Sequence, residues 1–214
     1  MSEVLSPDAT KPQNSKASPL DNAASRFDPS TSTSSATELA RAKVFLQAAL
    51  KKFHNFPQPG IVFVDILPLF ANPDLHLSLI RALELQTLEL LNGTRPDVIV
   101  GLDARGFLFG PSLALRLGAG FAPVRKRNKL PGPTVETAYV KEYGSDYFQM
   151  QVDAIKKGQS VLIVDDIIAT GGSAKAAGEL VEKLNGNLLG YLFILEIDSL
   201  NGRDGLNKPN FVLL

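Results

Sequence analysis

One continuous stretch, Val161 to Leu180, spells V-L-I-V-D-D-I-I-A-T-G-G-S-A-K-A-A-G-E-L and constrains the fold more than any other part of the chain. Val161–Val164 is an unbroken β-branched and aliphatic run, the pattern of a strand covered on both faces in a parallel sheet. The run breaks at Asp165-Asp166, passes Ile167-Ile168 and reaches Ala169-Thr170-Gly171-Gly172-Ser173 before helical sequence resumes. The prediction is strand, loop, helix. In open α/β sheets ligands sit beyond the carboxyl ends of strands, where a starting helix offers unpaired N–H groups and the positive end of its dipole. Gly171 and Gly172 let the backbone turn and approach a phosphate closely, and the Thr170 and Ser173 hydroxyls can donate to its oxygens.

Spelling separates this loop from two other phosphate binders. A Walker A loop needs a Lys before its Ser/Thr, and Gly172 stands there. A dinucleotide fold needs G-x-G-x-x-G after its strand, which is absent. What remains is a monophosphate cradle preceded by two acids. Asp165 and Asp166 would repel a phosphate, so a functional reading gives them ribose hydroxyls or a hydrated Mg²⁺ to hold; a bare acid pair at a helix entrance is the structural alternative.

The rest of the chain alternates in the same way. Ser35-Ala36-Thr37-Glu38 has capping-box spacing, followed by Leu39, Ala42, Leu46, Ala49 and Phe53 at helical intervals. Asn72-Pro73 opens a second helix that Gly93 closes, with Leu75, Leu79, Leu83 and Leu90 on its apolar side. Gly110–Leu117 forms a third and Ser173–Leu184 a fourth. Strands are predicted at Asp97–Leu102, Phe121–Val124 and Leu188–Ile197, with short strand-like runs at Thr137–Val140 and Tyr147–Val152 and a last strand in Phe211–Leu214. The alternation predicts a parallel sheet wrapped by helices.

Charge and composition remove whole classes of function. Lys+Arg and Asp+Glu are 22 each, so nothing favours nucleic acid as a partner. No apolar run approaches a membrane span, and without a cysteine the chain has neither disulfides nor thiolate chemistry. Residues 1–34 are rich in small and polar types and are expected to be a disordered tail ahead of a domain at 35–214. Glu3, Asp8, Asp21 and Asp28 argue against a transit peptide, so a cytoplasmic protein, with the nucleus equally open to it, is expected. His54 and His76 lie too far apart for metal-ligand spacing and are taken as structural or surface groups.

Three other loops join the cradle. Asp103-Ala104-Arg105-Gly106 follows a strand end, where the planar Arg105 fork suits paired oxyanions and Gly106 permits close backbone approach. Arg125–Lys129 is a basic cluster closing into Leu130-Pro131-Gly132-Pro133, which can continue neither helix nor strand. Glu142-Tyr143-Gly144 forms the tip between two strand-like runs.

Val161–Ser173 resembles the phosphoribosyl-pyrophosphate motif of type I phosphoribosyltransferases, and D-D-I-I-A-T-G-G-S looks like the version found in adenine phosphoribosyltransferases, fungal ones included. The resemblance continues through F-P-Q-P-G-I-V-F from Phe56, G-L-D-A-R-G-F-L-F-G-P-S-L-A from Gly101, R-K-R-N-K-L-P-G from Arg125, E-Y-G from Glu142 and S-L-N-G-R from Ser199, in the family's order and over about residues 40–214. It implies an α/β fold with a central, mainly parallel sheet flanked by helices, a small hood at about 35–70 and a mobile lid loop at about 134–152.

The implied reaction is Mg²⁺-dependent transfer of the 5-phosphoribosyl group from phosphoribosyl pyrophosphate to N9 of adenine, giving AMP and pyrophosphate, in a homodimer. The implied catalytic groups are Glu142, passing a proton to or from the purine imidazole, with Arg105 and Lys129 on the leaving pyrophosphate. Asp103, Ala104, Arg125 and Tyr143 complete the substrate contacts, and the Asp103–Ala104 peptide is implied to be cis. Asp165 and Asp166 would hold the ribose hydroxyls and, through water, the metal; Ala169, Thr170, Gly171, Gly172 and Ser173 would hold the ribose phosphate. Phe63 and Ile167 would sandwich the base while backbone groups of Val62 and Val64 read its amino edge.

The chain departs from the family's usual residues at Val64, Ala104, Asn128, Gln149 and Val152. Two rivals remain: a non-catalytic paralogue that binds phosphoribosyl pyrophosphate, against which Arg105, Lys129 and Glu142 all stand, and an enzyme for hypoxanthine, guanine or orotate, against which the hood spelling and E-Y-G stand.

Overall fold

The computed structural model describes residues 34–141 and 144–214; of the tail expected at 1–34 only Ser34 is described, and Glu142 and Tyr143 also lie outside the described residues. The first helix, α1 (Ser35–Ala49), is capped one residue earlier than the S-A-T-E spacing predicts: Ser34 Oγ accepts from the Thr37 amide at 3.3 Å. Glu38 is thereby released from capping and accepts from Nε and one terminal nitrogen of Arg81, both at 2.9 Å. Nor does the helix reach Phe53. Leu50 turns extended, and Lys51–His54 (β1) pairs antiparallel with Val62–Asp65 (β2), setting Phe53 opposite Phe63. Cross-strand pairing overrides the helical spacing there.

A short helix, α2 (Pro68–Ala71), leads into α3 (Pro73–Leu90). The predicted start is observed, with Asn72 Oδ1 accepting from the Asp74 and Leu75 amides at 2.9 and 3.1 Å. The helix end is closed by Gly93, at φ +80°, whose N–H donates to the Leu88 carbonyl at 2.7 Å. Buried Glu84 on this helix accepts from Arg81 at 3.0 Å and from Arg116 at 2.7 Å. Two guanidinium partners make such burial tolerable, since breaking a buried pair costs about 3–5 kcal/mol.

Strand β3 (Val98–Leu102) is buried along its whole length. Helix α4 (Gly110–Leu117) has the predicted bounds, and β4 (Gly120–Lys126), β5 (Thr134–Lys141) and β6 (Gly144–Gln151) follow. Strand β7 spans Ser160–Ile168, α5 Gly172–Lys183, β8 Asn187–Glu196 and β9 Asn210–Val212. The break in apolar spelling at Asp165 therefore does not end the strand. β8 runs on beside it, pairing Asp165 with Phe193 and Ile167 with Leu195, so both acids are strand residues.

The seven-stranded sheet has the order β5-β6-β4-β3-β7-β8-β9. The β3–β4, β3–β7, β7–β8 and β8–β9 pairs are parallel, and β4–β6 and β5–β6 antiparallel, so the predicted mainly parallel sheet is observed. Period-2 alternation divides its apolar residues between two cores. Leu162 and Val164 join Leu46, Leu79, Leu83 and Leu113 on the side of α1, α3 and α4; Val161 and Ile163 join Ala177, Leu180 and Val181 on the side of α5. Each fully buried Leu or Val contributes about 1.5–3 kcal/mol, and both faces of β7 are covered, as its unbroken spelling predicts.

From β3 the chain crosses to β4 on one side, whereas from β7 it crosses to β8 on the other. The carboxyl ends of β3 and β7 thus meet where the strand order reverses, the position at which α/β sheets open a ligand crevice.

Candidate functional site

Two cavities open at that reversal. The larger, about 980 Å³, is floored by the loops after β3 and β7, with Asp103 and Arg105 on one side and Asp165, Asp166 and Ala169–Ala174 on the other. The smaller, about 660 Å³, is walled mainly by the aromatic and aliphatic side chains of Phe53, Phe56, Phe63, Val64, Ile66 and Leu195. Arg105, Asp166 and Ile167 line both. A polar chamber and an apolar one therefore share a threshold made of a cation, an acid and an aliphatic side chain.

The polar chamber is built largely of backbone. Gly171 caps α5 at φ +79°, a left-handed conformation glycine adopts at little cost. No side chain caps this helix, so the amides of its first turn remain as donors for an anion, worth about 0.3–2 kcal/mol from the dipole alone. Across the chamber the Asp103–Ala104 peptide is cis, as the resemblance implies. Arg105 follows in a single 3₁₀ turn, Arg105–Phe107, held tightly against β7: a Cβ on Gly106 would lie 2.9 Å from the Val164 carbonyl oxygen.

Two of the chamber's ionisable groups, Arg105 and Asp166, are already paired. Arg105 Nε meets Asp166 Oδ2 at 2.5 Å, and the Asp166 amide donates to Asp165 Oδ1 at 3.0 Å. Burial, and then the neighbouring Asp166 charge, push the Asp165 carboxyl well above the usual carboxylate range. Two carboxylates side by side, one already spent on an arginine, suit an ion held mainly through water and substrate oxygens, as Mg²⁺ prefers. Among the described residues no cluster of three or more acidic, His or Cys side chains exists to cage a metal by itself. The donor set fits Mg²⁺ held in part by ligands from outside the protein.

The basic cluster divides its labour. Lys126 lines the larger cavity. Arg125 turns to Asp103, Nε to Oδ2 at 3.0 Å, and donates to the Lys129 carbonyl at 3.1 Å, so it brackets the basic turn against the β3 loop. Neither Arg125 nor Lys129 is part of the cavity lining. Asn128, at φ +65°, gives its amide to Gln149 Oε1 at 2.9 Å, and Gln149 Nε2 donates to Glu136 at 3.1 Å. Arg127 pairs with Glu136 and lies 3.7 Å over the Tyr147 ring. The turn carrying Lys129 is thus tied both to β3 and to the β5–β6 ribbon, whose Tyr139 and Phe148 stack at 4.3 Å and line the cavity.

In the apolar chamber, Phe56 and Phe63 meet edge to face at 5.2 Å, and Ile167 joins Phe63 in the lining. Val62 points elsewhere: it is half exposed, pairs with His54 and does not line the cavity. The hairpin tip is fixed by a cis Phe56–Pro57 bond and by the Gly60 amide donating to Asn55 Oδ1 at 2.9 Å. Sequence reasoning missed Phe53, Phe56, Asp65, Leu67 and Lys126 as lining groups. The strand register that aims Lys126 inward is set by long-range pairing, while Phe53 was hidden by its apparent helical spacing.

Residues 72–196 match the phosphoribosyl transferase domain, which defines the class of fold and cradle found here. An adenine phosphoribosyltransferase from Debaryomyces hansenii is 55% identical over 180 residues, 84% of this chain and 95% of that protein. Adenine phosphoribosyltransferase 1 of Saccharomyces cerevisiae is 57% identical over 79% of this chain and 90% of its own length. The chain belongs to the adenine phosphoribosyltransferase family. A crystal structure of the S. cerevisiae enzyme, complexed with an imino-altritol bisphosphate and adenine, superposes with a TM-score of 0.80 at 56% identity, covering 82% of this chain and 99% of that one. The Trypanosoma brucei enzyme in complex with AMP, pyrophosphate and ribose-5-phosphate gives 0.68 at 25% identity, covering 80% and 78%.

Proposed function

We propose that the protein is an enzyme of purine salvage, joining adenine to the 5-phosphoribosyl group of phosphoribosyl pyrophosphate and releasing AMP and pyrophosphate. The observation that carries this reading is the shared threshold: a phosphate-binding chamber and an aromatic chamber meet at Arg105, Asp166 and Ile167. A base in one and a ribose phosphate in the other bring their reacting atoms together there.

In this reading the ribose phosphate rests on Ala169–Ser173, the ribose hydroxyls on Asp165 and Asp166, and adenine between Phe63 and Ile167. Backbone groups of Val62 and Val64 read the amino edge. Adenine N9 attacks ribosyl C1 as the bond from C1 to the pyrophosphate oxygen breaks, and Glu142 takes the proton that adenine gives up. The transition state carries oxocarbenium-like charge, so catalysis is mainly positioning and charge stabilisation. Arg105 must exchange Asp166 for pyrophosphate oxygens, with Lys129, Lys126 and the Asp103–Ala104 loop around the same group. Mg²⁺, bound with the substrate at Asp165 and Asp166, supplies neutralisation of the pyrophosphate charge.

The hood is assigned to about 35–70 and the lid to about 134–152, with Glu142 and Tyr143 at the lid tip, within a domain at 35–214. Lid closure would exclude water from the ribosyl carbon. A homodimer in the cytoplasm, with access to the nucleus, belongs to the same reading. Among the described residues no helix is long and apolar enough to cross a membrane. Incubation with adenine, phosphoribosyl pyrophosphate and Mg²⁺, followed by chromatography, is expected to yield AMP; no nucleotide formed would contradict the assignment.

A further inference from the structure

The S-L-N-G-R segment lies outside both cavity linings, yet its backbone presses on the phosphate loop. A Cβ built on Gly202 would sit 2.1 Å from the Ala169 carbonyl oxygen and 2.8 Å from the Gly171 nitrogen. Reciprocally, a Cβ on Gly171 would sit 2.2 Å from the Gly202 carbonyl oxygen. Two glycines therefore meet backbone to backbone behind the cradle, and Gly202 is buried while its neighbour Asn201 is exposed.

This wall is stapled in place. Ile197 donates to the Ile168 carbonyl at 2.9 Å, fixing where the segment leaves β8 beside the end of β7. Arg203 then spans the loop, Nε to Asn210 Oδ1 at 2.6 Å, one terminal nitrogen to Glu196 at 3.2 Å and the other to the Asn210 carbonyl at 3.2 Å. Leu206 anchors the far side in the α5 core.

We infer that Gly202 is a positioning residue for the reaction: with Arg203 as its staple, it sets where the Ala169–Gly171 backbone stands and so aims the cradle's N–H donors at the 5′-phosphate. The inference rests on the phosphoribosyl-transfer reading of that cradle. A methyl group at Gly202 would force the loop or the wall to move by about 1 Å, and misplacement on that scale can cost about 100-fold.

The test compares Gly202→Ala with Gly205→Ala, a glycine of the same segment whose Cβ would meet nothing within 4 Å. Calorimetry with ribose 5-phosphate, AMP and pyrophosphate reads binding, and steady-state assays read KM for each substrate. Gly202→Ala is expected to weaken ribose 5-phosphate and AMP by about tenfold to 100-fold and to raise KM for phosphoribosyl pyrophosphate, leaving pyrophosphate binding and KM for adenine as in the parent. Gly205→Ala should match the parent throughout. Parental affinity for the 5′-phosphates in Gly202→Ala, or an equal loss for pyrophosphate, would overturn the inference. Should Gly202→Ala fail to fold, Arg203→Lys decides: the lost fork should raise KM for phosphoribosyl pyrophosphate about threefold or more, and an unchanged KM overturns it. The binding arm needs no turnover, so an inactive parent protein would count against the reaction while leaving this comparison decisive.

Discussion

Asp165 is an acid the fold holds at a cost. Its carboxyl is pushed well above the usual range, first by burial and then by Asp166, so the folded protein binds that proton more tightly than the unfolded chain does. A raised folded value means stability is lost as pH climbs from the unfolded value, about 4, through the folded one. Asp165→Asn should therefore raise the melting temperature of the ligand-free protein at pH 7, by about 2–4 °C for each kcal/mol relieved. The advantage should shrink as melts are taken toward pH 4, and a variant less stable than the parent at pH 7 would contradict this. Glu142 belongs to the E-Y-G motif, and Glu142→Ala should lower kcat by about 100-fold or more while KM for phosphoribosyl pyrophosphate changes little; unchanged turnover removes it from the mechanism. Residue types were legible where chemistry demands them, as in the acid pair and T-G-G-S. Which neighbour faces the ligand was not: Lys126 lines the cavity and Arg125 does not, because only pairing with β3 and β6 fixes which way each points.

Helix α4, which has its own stop signals, was read correctly, and β3 and β8 were read to within one residue, whereas the ends of α1 and β7 were displaced by pairing. The bounds of α4 follow from Gly110-Pro111 and Gly118, the latter at φ +70°, whereas α1 stops short of Phe53 because β1 finds β2. β7 outlasts its apolar spelling for the same reason, since β8 supplies a ladder along Asp165 and Ile167. The ribbon β5–β6 is tied to the basic turn through Gln149, which accepts from the Asn128 amide and donates to Glu136. Removing both bonds in Gln149→Ala should loosen the turn bearing Lys129 and raise KM for phosphoribosyl pyrophosphate about three- to tenfold. KM for adenine is expected to stay put. Equal rises in both constants would show a general loss of structure instead.

At the scale of the whole molecule, the alternation of strands and helices announces a wrapped parallel sheet, but strand order is a property of distant pairings with no local signature. That order nevertheless makes the site: β3 and β7 end together where the crossovers reverse, the hairpin β1–β2 contributes aromatic walls, and polar and apolar chambers meet at Arg105, Asp166 and Ile167. Such an arrangement suits a protein that brings a flat ring up to a phosphorylated sugar. The most direct test is pyrophosphate release from phosphoribosyl pyrophosphate with adenine, hypoxanthine and guanine in parallel, each with and without Mg²⁺. Metal-dependent release with adenine alone is the predicted result. Silence with every base, despite measurable binding of phosphoribosyl pyrophosphate, would contradict the enzyme and leave a binding protein in its place.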